Sequence, residues 1–171
     1  SFVISGATGA GPPPLLRSLL AAFPDSHRIV CVEDVQELAL RLPNVVMLQA
    51  REPNAEGVGR VPLNELVRHT LRMRPDSIVV GEVRGPEVLE WLLAVSSGHP
   101  GSATTVHADS AAHAVQRLLL LAELAGVPRV VAQRVIADAV AVVVHCHRFA
   151  DRRQVTEVAL VADLLEQRVP R

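Results

Sequence analysis

An α/β domain built on a mostly parallel sheet flanked by helices is what this 171-residue sequence predicts, and three observations predict it. Short apolar runs alternate with stretches of helical periodicity along the whole chain. The apolar runs are near-continuous Val/Ile stretches rather than alternating ones, as expected of strands covered on both faces. The first run leads into a glycine-rich turn and then a helical pattern: residues 5–16 read SGATGAGPPPLL. That is the strand–loop–helix order of a phosphate-binding loop.

The predicted strands are Phe2 to Ser5, Arg28 to Val32, Val45 to Leu48, Ser77 to Gly81, Ser102 to Val106, Ala139 to His145 and Gln154 to Leu160. Between them the spacing predicts helices over Leu15 to Ala22, Leu63 to Met73, Pro86 to Ser96, Ala111 to Ala125 and Arg129 to Ala137. The Pro/Asn/Gly-rich stretch from Arg51 to Pro62 reads as a loop arm. With 49% apolar residues the chain is long enough for a single well-buried core. No apolar run approaches the roughly 18 residues of a membrane span. A net charge of −1 argues against a broad nucleic-acid or anionic-membrane surface. Cys31 and Cys146 each sit in an apolar run that reads as a strand, and both read as buried free thiols of a reducing compartment. The sequence opens directly on a strand without Met, and a piece of a longer protein is the expectation.

The loop at Gly6, Thr8, Gly9, Ala10 and Gly11 keeps the frame of G-x-x-x-x-G-K-[ST]. Pro12, Pro13 and Pro14 stand where that motif continues into Lys and Ser/Thr. A phosphate loop grips its anion with consecutive backbone N–H groups, a Lys ammonium and a hydroxyl that holds Mg²⁺. Proline has no N–H, so the run deletes three amide donors, the ammonium and the magnesium ligand together. Charge-assisted hydrogen bonds contribute about 1.5–3 kcal/mol each; losing four costs roughly 6 kcal/mol, a loss of ~10⁴ in affinity. Residues preceding a proline are pushed out of helical φ/ψ, which predicts a helix starting near Pro14 rather than at Pro12.

Two later strands end in acids. Residues 28–34 run RIVCVED, placing Glu33 and Asp34 at a strand end, and residues 77–82 run SIVVGE, ending at Glu82. Carboxylates at strand ends beside a phosphate loop suit magnesium binding or water activation, and the second strand has the form of a Walker B element. His99 and His107 bracket the strand in GHPGSATTVHA, which suggests exposed strand ends near a ligand. In the triplet His145-Cys146-His147, strand alternation turns Cys146 away from both histidines, and no C-x-x-C partner exists.

Together these segments resemble the secretion-ATPase superfamily, the RecA-like motors of type II and type IV secretion and of Tad-type pili, with VirB11-like proteins among them. The resemblance runs through the loop frame Gly6 to Gly11, the acidic box Arg28 to Leu38, the arm from Arg51, the segment Leu71 to Gly85 and the box GHPGSATTVHADS. It implies a RecA-like P-loop NTPase domain over residues 1–171, with an N-terminal domain lying outside this chain. By resemblance Glu33 would activate water and Asp34 and Glu82 would serve magnesium. His107 would sense the terminal phosphate, while Arg51, Arg68 and Arg72 would reach a neighbouring subunit's nucleotide. The resemblance further implies Mg-ATP as cofactor, a hexameric ring of copies and membrane platform proteins as partners, no direct nucleic acid, and a cytoplasmic location at the inner membrane. The departure at Pro12 to Pro14 predicts that this chain binds Mg-ATP weakly or not at all. The alternative reading is a non-hydrolysing structural or regulatory subunit of a motor ring.

Overall fold

The computed structural model describes residues 1–166. Seven strands form one sheet: β1 (Phe2–Gly6), β2 (Ile29–Glu33), β3 (Val45–Gln49), β4 (Ser77–Val80), β5 (Ala103–His107), β6 (Val142–Arg148) and β7 (Arg153–Leu160). Their order is β3-β2-β4-β5-β1-β6-β7. All neighbours run parallel except the β6–β7 hairpin. The order puts β1 between β5 and β6, so the loop that follows β1 has the ends of both neighbours beside it.

Six helices cover the sheet: α1 (Pro12–Leu20), α2 (Leu63–Thr70), α3 (Glu87–Ser96), α4 (Ala111–Leu124), α5 (Arg129–Ala139) and α6 (Val161–Glu166). One apolar layer unites Ile4, Ile29, Cys31 and Val79 of the sheet with Leu16 and Leu20 of α1. A larger one packs Val3, Val32, Ile78, Val80 and Val143 against Trp91, Leu118, Leu119 and Ile136 from α3, α4 and α5. Successive strand residues therefore feed opposite layers, which is why the strands read as continuous apolar runs. Both cysteines are free and buried. Burial pushes the Cys31 thiol far above its ordinary range, with the Glu33 carboxylate acting in the same sense.

Several boundaries differ from the sequence expectation, most of them by a residue or two, and the larger differences have physical reasons. Helix α1 begins at Pro12, not near Pro14. First-turn N–H groups have no intrahelical partner, and the proline ring already fixes a helical φ. Leu15, the first residue with an N–H, donates to the Gly11 carbonyl at 3.2 Å, so the helical ladder starts where it can. Helix α5 runs to Ala139, which displaces the sixth strand from the expected Ala139 to His145 onto Val142–Arg148. Helix α6 is an element the periodicity did not predict.

Candidate functional site: a phosphate loop begun by prolines

The loop between β1 and α1 keeps its shape through glycine. Gly9 and Gly11 adopt φ of 80° and 95°, in the left-handed region that side chains avoid. At Gly6 the constraint is space, since a Cβ would meet the Cys146 carbonyl oxygen at 2.9 Å and the Pro12 ring at 3.1 Å. Ala10 donates to the Ala7 carbonyl at 2.9 Å and is itself buried. Beside this loop lies a cavity of about 340 Å³, walled by Thr8, Gly9, Gly11 and the three prolines on one side and by Glu82, Arg84 and His107 on the other. Of the loop residues named from sequence, Gly6 and Ala10 pack behind it.

Glu82, just beyond β4, is already engaged. One carboxylate oxygen accepts from the Arg84 guanidinium at 2.6 Å and the other lies 3.2 Å from His107 Nε2. His107 Nδ1 in turn faces the Gly6 carbonyl at 3.2 Å. Both partners of the ring are acceptors, so the two contacts form in full only with the imidazolium. The Glu82 hydrogen bond, supported by Asp34 and Glu37, raises the Arg84 guanidinium above its ordinary value against a smaller opposing effect of burial. Glu87 fixes this segment from below: its Oε1 accepts from the N–H groups of Arg84 and Gly85 at 2.6 and 2.7 Å.

Glu33 closes β2 and is 2% exposed. Its Oε1 accepts from the N–H groups of Glu37 and Leu38, both at 3.0 Å, while Oε2 has no partner. Its stem lies over Gly81, where a Cβ would come within 2.8 Å of Glu33 Cγ. Glu33, Asp34, Glu82 and Arg84 line a second cavity, of about 300 Å³, which shares Pro13, Glu82 and Arg84 with the first. Asp34 is exposed and reaches this second cavity only.

The structure thus gathers the loop, Glu82 and His107 around one cavity, with Glu33 and Asp34 next door. It does not bring Arg68 or Arg72 there. Arg68 of α2 is ion-paired with Glu90 of α3 in the same chain, its Nε donating at 3.0 Å. Arg72 is exposed, outside both cavities. Arg51 bridges back to Val61 within the arm. His99 sits at the opposite end of β5, its Nδ1 at 2.7 Å from the Ala94 carbonyl, so only His107 of that pair reaches the loop. In β6, His145 and Cys146 are buried on opposite faces and His147 is exposed. No cluster of three His, Cys, Asp or Glu side chains suited to a metal occurs among the described residues.

Two residues absent from the sequence expectation also stand at the loop. Arg153 of β7 donates through Nε to the Gly9 carbonyl at 3.1 Å and walls the cavity. Arg148 of β6 places Nη1 3.2 Å from the spot a Cβ on Gly9 would occupy. The signal was the sheet order, which sets β6 against β1 across some 140 positions of sequence.

The residues present do not fit Mg-ATP. Positions 12 and 13 offer neither ammonium nor hydroxyl, the first three helical residues have no N–H, and Glu82, one of the two acids in the loop cavity's wall, is held by Arg84 and His107.

The sequence matches the Type II/IV secretion system protein family over residues 1–169. A protein of Mycobacterium tuberculosis named for conjugal transfer is 47% identical over 162 residues, which are 94% of this chain and 46% of that protein. The type IV secretion system protein VirB11 of Bartonella quintana is 35% identical over 163 residues, 92% of this chain and 45% of that one. Among solved structures, the VirB11 ATPase of Brucella suis, crystallised in complex with sulphate, superposes with a TM-score of 0.82 at 32% identity, covering 97% of this chain and 49% of its own. The Legionella pneumophila ATPase DotB gives 0.73 at 26%. The chain spans about half the length of these relatives.

Proposed function

The chain belongs to the Type II/IV secretion system protein family, and on that premise we propose that it is the motor domain of a VirB11-like secretion or conjugal-transfer ATPase whose loop no longer grips Mg-ATP. The observation that carries this reading is helix α1 beginning on three consecutive prolines at the wall of the loop cavity. Glu33 and Glu82 line one cavity and Glu82 and His107 the other, which supports the motor reading. What is missing is the set of donors that hold triphosphate and metal.

In this proposal the whole protein works as a ring of copies beneath a membrane platform, on the cytoplasmic side, with no nucleic-acid ligand of its own. No described helix is long and apolar enough to cross a membrane. The pairing of Glu82 with Arg84 and His107 favours the second reading, a non-hydrolysing structural or regulatory member of such a ring. The combined substitution Pro12→Lys, Pro13→Thr, Pro14→Thr tests the proposal. The altered chain should bind Mg-ATP at micromolar concentration while the parent does not; an altered chain that stays inert would shift the assignment to the structural role.

A further inference from the structure

The loop cavity keeps donors that a phosphate could use, and they come from the far edge of the sheet. The inference rests on reading that cavity as the place where a phosphate group would sit. We propose that Arg153, with Arg148 beside it, is the cation of the cavity, and that the chain binds a free phosphate oxyanion there without magnesium.

The β6–β7 hairpin carries both arginines to the loop. The Arg153 side chain crosses Gly11, with Cδ 2.6 Å from where a Cβ would stand, so only glycine admits it. Its Nε is bound to the Gly9 carbonyl, which fixes the fork and leaves the two Nη groups without a partner among the described residues. Arg68, Arg84 and Arg129 each have a carboxylate partner; Arg148 and Arg153 have none among the described residues. A guanidinium fork matches the oxygens of a phosphate two at a time. The backbone N–H groups of Ala7, Thr8, Gly9 and Gly11 likewise have no hydrogen-bond partner among the described residues. Consecutive free amides of this kind add to the attraction for an anion.

Glu37 and Glu82 also line the cavity and oppose an anion. Arg84 is paired with Glu82, and with Arg153 it balances the two carboxylates, so the cavity lining as a whole is not net acidic. The donors that remain lie between Ala7 and Gly11 and on the hairpin. They are enough for one tetrahedral oxyanion, whereas the prolines remove those a longer phosphate chain would need. Neither Pro12 nor Pro13 can hold a metal, so magnesium adds nothing.

The test is a titration of the chain with inorganic phosphate at constant ionic strength, with and without Mg²⁺, followed by amide NMR shifts of residues 7–11. Saturable millimolar binding that is unchanged by Mg²⁺ is expected. Arg153→Ala should weaken it about tenfold or more, the loss of one charge-assisted contact, and Arg153→Lys should recover part of it. Arg152→Ala is the control, because that guanidinium sits over the Phe149 ring, 5.9 Å from its centre. Circular dichroism of each variant reports the fold. Shifts that do not saturate, or equal affinity in Arg153→Ala, would overturn the proposal. Failure of the motor reading looks different: micromolar, magnesium-dependent ATP binding by the parent chain.

Discussion

Glu33 holds its own loop in place. One carboxylate oxygen accepts two backbone N–H groups and the other is buried without a partner, so the side chain is as much a structural clamp as a candidate base. Glu33→Ala leaves two amides unsatisfied and should destabilise the chain by about 2–3 kcal/mol. Glu33→Gln retains the accepting oxygen and should cost less than about 1 kcal/mol, with urea denaturation separating the two. His145 gives a pH signature. Its Nδ1 meets Ser5 Oγ at 2.9 Å in the interior. Burial lowers its pKa from 6.5, helped by His147 and opposed by Glu157 and Asp109. A histidine that stays neutral in the fold but takes a proton when unfolded makes the unfolded state bind more protons. Stability should therefore be full above pH 6.5 and fall as pH drops below it. The decline should be shallower in His145→Gln, measured by urea midpoints from pH 7.5 to 5. The acids and His107 were legible as residues because each ends an apolar run. The pairing of Glu82 with His107 was not, since the two meet only once the sheet is assembled.

At the scale of elements, α1 shows a proline run in a place that tolerates it. Positions N1 to N3 need no donor, and Leu15 closes the first helical bond. Pro13→Ala and Pro14→Ala should each lower stability by only about 0.4–1 kcal/mol, through the greater freedom of the unfolded chain. Leu16→Pro, one turn further in, should cost about 3 kcal/mol or more. The expected start near Pro14 weighted the steric effect on residues preceding proline above the freedom of a first turn. Helix α6 escaped because six residues directly after a strand show no helical period of their own. The central strands were readable as Val/Ile runs covered on both faces, whereas the edge strand β7 is largely exposed and the sixth is displaced.

Across the whole molecule, the two apolar layers make one cooperative body. The larger is anchored by Trp91, which is fully buried with its indole N–H unpartnered. Trp91→Ala should destabilise the chain by about 3–5 kcal/mol, with fluorescence lost and a lowered midpoint in thermal unfolding. Parallel sheet and flanking helices followed from the sequence because alternation and burial are local in it. The order of the strands was not local, and it alone brings Arg148 and Arg153 to the loop. Strand-end acids thus stand beside a loop whose helix opens on three prolines without N–H groups. The direct test is isothermal titration of the unaltered chain with Mg-ATP. The account predicts no binding in the micromolar range; a micromolar Kd with one nucleotide per chain would contradict it.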